Sequence, residues 1–136
     1  MADTVRGVEY YYATVRDAPG EAQRILAALK DGGVNLLAFL GFPSEGAQAQ
    51  IDLVPEDPES LRQAAERAGF TLSEAKRAFL IEGDDRVGAV ADTIAKLAEA
   101  NINVTAAAAT AAAGRFGMIL WVAPADYEKA AAALAA

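Results

Sequence analysis

"VRDAPGEAQRILAALKDGGVN", Val15–Asn35, reads as one strand-to-helix-to-strand passage. A β-branched and aromatic run, Val8 to Val15, leads into it and has the composition of a strand. Asp17-Ala18-Pro19-Gly20 turns the chain, and Pro19 suits the first helical position, where a missing N–H costs nothing. Ala22, Ile25, Leu26 and Leu29 then fall on one stripe of a helix. Gly32 and Gly33 fit its C-terminal cap, and Val34-Asn35 opens the next strand.

A fainter copy, "GDDRVGAVADTIAKLAEANIN", spans Gly83–Asn103. Laying Gly20 on Gly88 places Asp17 on Asp85, Leu29 on Leu97 and Asn35 on Asn103. The identities fall at the corner, the apolar helix face and the helix exit, which makes an internal repeat the first organising fact. Ala78 to Glu82 opens the second copy as a strand. Second strands are predicted over Val34 to Phe42 and Ile102 to about Thr110, and third strands over Ala47 to Val54 and Phe116 to Val122. Second helices begin at Asp57-Pro58 and at Asp126. The first copy continues into a fourth strand, about Thr71 to Lys76.

The order β-α-β-β-α-β predicts an α+β fold of two tandem ferredoxin-like units, residues 1–76 and 77–136, each an antiparallel sheet with helices on one face. "AAAATAAAG", Ala106–Gly114, favours helix by propensity, but the repeat places a strand there. The second unit lacks a last strand of its own, so its sheet edge must be covered or paired with another chain. On the third strand Ala49, Ile51 and Leu53 face inward, with Gln48, Gln50 and Asp52 outward. The same register puts Gly117, Ile119 and Trp121 inward and leaves Phe116, Met118 and Leu120 outward. Such an apolar outer row implies a second covered face, under the first unit or a second subunit.

Composition narrows the chemistry. At 54% hydrophobic, the 136 residues suffice for a packed core. The net charge of -7 disfavours nucleic acid and anionic membranes as partners. With no Cys there is no disulfide or thiolate chemistry, and with no His the commonest general base and metal ligand are missing. "MADTVRG" lacks the apolar segment of a signal peptide, and the expected location is the cytoplasm. No catalytic residues, cofactor or metal site are assigned. Asp84-Asp85 with Glu82 lacks the spacing of a calcium loop. Tyr10, Tyr11 and Tyr12 invite comparison with an RNA-recognition sheet, but "AQAQIDLV" lacks its aromatic and basic signature.

Two such units, each with an Asp-x-x-Gly corner after its first strand and "VN" or "IN" at the next, resemble the ACT domain. "DAPGEAQRILAALKDGGVNL" matches more closely than "DDRVGAVADTIAKLAEANINV", where Val87 replaces Pro. The resemblance implies a regulatory fold that binds small molecules, usually amino acids, at interfaces between paired domains. Domains of this kind are often fused to metabolic enzymes, so a regulated enzyme is one partner to expect, and what binding controls here is left open; no catalysis is expected.

The corner chemistry agrees. The first turn of a helix leaves N–H groups unpaired and favours an anion such as an α-carboxylate. Gly20 and Gly88 allow close approach to the backbone; Asp17 and Asp85 accept from an ammonium group, unless they bond their own turns. Asn35 and Asn103 add a donor and an acceptor, beside the first turn of a neighbouring unit if two units pack side by side. The ligand-binding set is therefore Asp17, Ala18, Pro19, Gly20, Asn35 and Leu36 in the first unit, and Asp85, Arg86, Val87, Gly88, Asn103 and Val104 in the second. Arg86 could hold a carboxylate or point to solvent. Small-molecule binding by a homodimer is the expected function. The alternative is a ligand-free interaction module docking an enzyme or transporter through its apolar sheet face.

Overall fold

The computed structural model describes residues Asp3 to Ala136. Along them run β1 (Thr4–Arg16), α1 (Glu21–Asp31), β2 (Leu36–Ser44), β3 (Gln48–Pro55), α2 (Pro58–Ala68), β4 (Lys76–Asp84), α3 (Ala89–Glu99), β5 (Val104–Ala112) and β6 (Arg115–Val122). A 3-10 turn at Pro124–Asp126 then leads into α4 (Tyr127–Leu134). This is the α+β arrangement that the repeat predicts. The chain divides into two units, one from Glu9 to Lys76 and one joining the stretch up to Val8 with Arg77–Ala136.

In the first unit β3 lies between β1 and β2, antiparallel to both, with Tyr11 opposite Leu53 and Leu40 opposite Asp52. Ile25 and Leu29 of α1 and Leu61 and Ala64 of α2 bury against Tyr11, Ala13, Val15, Ile51 and Leu53. Alternation along β1 and β3 makes this one face of the sheet. The Asp57 carboxylate caps α2, accepting from the Glu59 N–H at 3.1 Å, a contact worth about 1 kcal/mol. The expected strand over Thr71 to Lys76 does not form. Ser73 alone joins β1 there: its N–H donates to the Tyr12 carbonyl at 2.8 Å, and its Oγ accepts from the Tyr12 N–H at 2.9 Å. That hydroxyl replaces a backbone carbonyl, and Phe70 and Leu72 are drawn onto the core, so regular strand begins only at Lys76.

In the second unit the strand order is β1-β4-β6-β5. α3 and α4 contribute Leu97, Tyr127, Ala130 and Leu134 to a core with Phe79, Ile81, Phe116, Met118 and Leu120. Phe79 stacks on Tyr127 with ring centroids 4.4 Å apart, and the Tyr127 hydroxyl donates to the Ala78 carbonyl at 3.1 Å. The missing last strand is supplied from the other end of the chain. The N-terminal part of β1 belongs to this unit, and Val5 packs on its core. At Gly7 even a methyl group would collide with the Tyr127 hydroxyl. The open edge of β4 is thus closed within the chain, and the first unit begins at Glu9 rather than at residue 1.

The expected facing of β6 is corrected. Glu45-Gly46-Ala47 separate β2 from β3, but only Ala113-Gly114 separate β5 from β6. The shorter hairpin slips the repeat by one residue, and a one-residue slip exchanges the two faces of a strand. Phe116, Met118 and Leu120 therefore point into the unit's own core, and Gly117, Ile119 and Trp121 take the other face. Ile119 and Trp121 are nevertheless buried, at 5% and 8% exposure. The Ala-rich segment is strand β5, held by a ladder to β6 from Val104–Val122 to Ala112–Arg115. Backbone pairing to a neighbour has overridden helix propensity.

Asp52, expected to face outward, lies on the face away from the helices but is only 5% exposed. Gln50 Nε2 donates to its Oδ1 at 2.9 Å. Burial raises its pKa, against the opposing Gln50 hydrogen bond and Lys76 charge. The raised folded-state value means that its favourable contribution is full below the unfolded pKa and is lost as pH rises through the folded one. Asp52→Asn is expected to stabilise the protein at pH 7 by roughly 0.5–2 kcal/mol and to lose that advantage in acid. Urea unfolding at the two pH values checks this; destabilisation at neutral pH would contradict it.

Candidate functional site

Both corners adopt the same backbone course. β1 ends at Arg16, and the Asp17 N–H donates to the Ala47 carbonyl of the β2–β3 hairpin at 2.9 Å. The Asp85 N–H donates to the Gly114 carbonyl of the β5–β6 hairpin at 3.0 Å. Gly20 (φ 88°) and Gly88 (φ 82°) then take the left-handed conformation at the N-caps of α1 and α3. Glycine is the residue that does so without strain. Neither helix receives a side-chain cap, whereas α2 does. The N–H groups of Gly20, Ala22 and Gln23, and of Gly88, Val90 and Ala91, have no partner among the described residues. Asp17 and Asp85 are exposed, and neither carboxylate accepts a hydrogen bond from the described residues, so neither is spent on its own turn. Ala18 is half-buried and Pro19 exposed beside them.

The helix exits also match. Val34 N–H donates to the Leu29 carbonyl and Ile102 N–H to the Leu97 carbonyl, both at 2.9 Å. The positive-φ position is Gly33 in one copy and Asn101 in the other, which frees Asn35 and Asn103 from a capping role. Asn35 Nδ2 donates weakly to Glu56 at 3.4 Å. With Leu36, Leu26 and Lys30 it lines an open groove of about 500 Å³. Asn103 is exposed, and Val104 begins β5 half-buried.

Within each unit the corner and the helix exit stand at opposite ends of a helix, so the expected site needs the exit of a neighbouring unit. α1 and α3 each hold 11 residues, so roughly 16 Å of helix separates Asp17 from Asn35, and Asp85 from Asn103.

The two corners differ in charge. Arg86 Nη1 and Nη2 donate to the two carboxylate oxygens of Asp3 at 3.0 and 3.1 Å, and Nη2 also to Asp92 at 3.2 Å. Its guanidinium carbon lies 5.8 Å from the centre of the Phe116 ring. The Arg86 fork hydrogen bond is the main cause that lowers the Asp3 pKa. Arg86 is thus neither free for a ligand nor merely solvated: it ties the N-terminal strand to the corner. Val87, in place of Pro, is fully exposed. Arg115 pairs with Asp84 at 2.8 Å and Glu82 at 3.8 Å, so a guanidinium occupies the acidic group considered for a metal. Among the described residues no group of His, Cys, Asp or Glu could hold a metal ion. Asp3 and Lys30 were missed by the sequence argument. Asp3 precedes any periodic segment, and Lys30 looks like an ordinary polar residue in the last turn of a helix.

Comparison with known proteins bears on the fold. No family model matches the chain, and no curated protein matches its sequence. Among solved structures, a protein from Bacteroides thetaiotaomicron superposes with a TM-score of 0.80 at 15% identity, covering 96% of this chain and 88% of that one. The ligand-free regulatory subunit of aspartate kinase from Thermus thermophilus gives 0.66 at 18% identity, covering 98% and 94%. The corresponding subunit from Thermus flavus gives 0.58 at 18% identity, over 98% and 94%. The tandem ACT-like fold implied by the two corners is the fold of this chain. Among the described residues no helix is long and apolar enough to cross a membrane.

Proposed function

We propose that this protein is a non-catalytic regulatory module that binds a small zwitterion, an amino acid, at the Asp17–Gly20 corner. The observation that carries this is the pairing of unbonded first-turn N–H groups with an unbonded carboxylate on the same turn. The amides suit an α-carboxylate and Asp17 suits an α-ammonium group. The regulatory subunits of aspartate kinase that share the fold support the same reading.

The first corner is preferred because the second already carries Asp3 and Asp92 on Arg86. The groove at Asn35, with Lys30 beside it and Leu26 and Leu36 as walls, receives the far side of the ligand when another unit's corner faces it. We assign that role to a homodimer. Binding then favours one arrangement of units over another, which is how a module without catalytic groups controls an enzyme partner. The docking alternative is less favoured, since the row expected to carry it, Phe116, Met118 and Leu120, lies in the unit's own core.

A thermal-shift screen of the standard amino acids tests the reading. A ligand at a hundredfold excess over its Kd adds about 2.7 kcal/mol to stability. Asp17→Ala and Asn35→Ala are expected to weaken binding by roughly tenfold each, about 1.4 kcal/mol, without lowering the melting temperature of the free protein. No shift with any amino acid at millimolar concentration, or unchanged affinity in both variants, overturns it. Light scattering checks the dimer, and a monomer at high concentration contradicts it.

A further inference from the structure

A half-open cleft of about 360 Å³ lies on the first unit and shares no lining residue with the groove at Asn35. It is walled by α1 through Arg24 and Ile25, by β1 from Tyr12 to Val15, and by Phe70–Ser73. Its geometry follows from the irregular fourth strand. Tyr12 turns both its N–H and its C=O away from β3, toward Ser73, which satisfies them. Main-chain groups two residues apart in a strand point the same way, so those of Thr14 also point from β1 toward this side. At the next position, Arg16, the carbonyl is already taken by the Ala18 N–H. No hydrogen bond joins the Thr14 main chain to residues 70–73, and Thr14 is exposed. The ladder thus has a gap one residue long.

We infer that this gap is a second ligand site, which takes the main-chain end of a free α-amino acid with a small apolar side chain. An antiparallel neighbour would exchange two hydrogen bonds with Thr14. An α-amino acid does the same when its carboxylate accepts from the Thr14 N–H and its ammonium donates to the Thr14 C=O. Arg24 is the one charged side chain on the wall, and its pairing with Glu21 at 3.6 Å leaves it 58% exposed. A guanidinium held that loosely can turn to a second carboxylate. Ser73 cannot compete for the ligand, since its hydroxyl already accepts from Tyr12 and donates to the Glu74 carbonyl. Ile25, Phe70 and Leu72 supply the apolar wall. The site is independent of the Asp17 corner and stands or falls separately from it.

Amide NMR of the full chain, titrated with L-valine, tests the inference. The Thr14 amide is expected to shift in a saturable way, and isobutylamine, which lacks the carboxylate, is expected to cause no shift. Arg24→Gln should weaken the response by roughly tenfold. Thr14→Pro, which deletes the N–H that faces the gap, should abolish the response of the neighbouring amides. Arg24→Gln serves alone if the proline variant does not fold. Asp17→Ala should leave the Thr14 response intact. A Thr14 amide that ignores L-valine, an Arg24→Gln variant that responds as before, or loss of the response in Asp17→Ala overturns the inference. Shifts at Gly20 and Asn35 without one at Thr14 sink this site and keep the corner; a shift at Thr14 without them keeps this site and leaves the corner to the screen of all the standard amino acids.

Discussion

A chain that begins at Glu9 is expected to lose the fold of residues 77–136 while keeping that of residues 9–76. The removed stretch lies far from Arg77 in sequence, yet it closes the second unit. Without it β4 has an open edge, Val5 no longer covers the core, and Arg86 loses the Asp3 carboxylate. Half-burying a valine is worth about 1 kcal/mol, the ion pair under about 1 kcal/mol, and each strand hydrogen bond roughly 0.5–1.5 kcal/mol. Together these reach the net stability expected of so small a unit. Hydrogen exchange read by mass spectrometry checks it. Peptides from α3 and α4 should exchange at the rate of unfolded chain, while those from β3 stay protected. Unchanged protection of α3 would show that the N-terminal strand is dispensable.

The second large effect belongs to Phe79→Ala. Phe79 has no exposed surface and lies flat against Tyr127, with 7° between the ring planes. Removing the ring leaves a void between β4 and α4 and takes the stacking partner from Tyr127, whose hydroxyl is fixed to Ala78. Truncation of a buried phenylalanine costs about 3–5 kcal/mol. Phe39→Ala, at 43% exposure, is the control, with a loss under about 1 kcal/mol expected. Urea unfolding of the two variants side by side decides the matter, and equal losses would contradict the assignment of the core.

These two experiments also separate what was legible from what was not. The corner motif, the helix stripe and the glycine exit are local, and the structure returns them at Asp17–Gly20, Ile25, Leu29 and Gly33, except that α1 begins at Glu21 with Gly20 as its N-cap, which leaves Pro19 in the turn and not at the first helical position. The candidate site was legible only as two halves. Asp17 and Asn35 were both picked out, and they stand at opposite ends of an 11-residue helix, so a corner can be completed only by the exit of a neighbouring unit. Arg86 looked like a ligand contact or a surface charge because its partner, Asp3, is 83 positions away.

Residue types at short spacing determined the helices, the corner and the first three strands of each copy, because turns and amphipathic periods are set by neighbours along the chain. Only the tertiary structure decided which face of β6 is inward, since one residue fewer in a hairpin reverses every side chain after it. It alone showed that the last strand of the second unit comes from the first residues of the chain. A strand edge is completed by whatever backbone lies beside it, and that neighbour is chosen by folding rather than by position in the sequence.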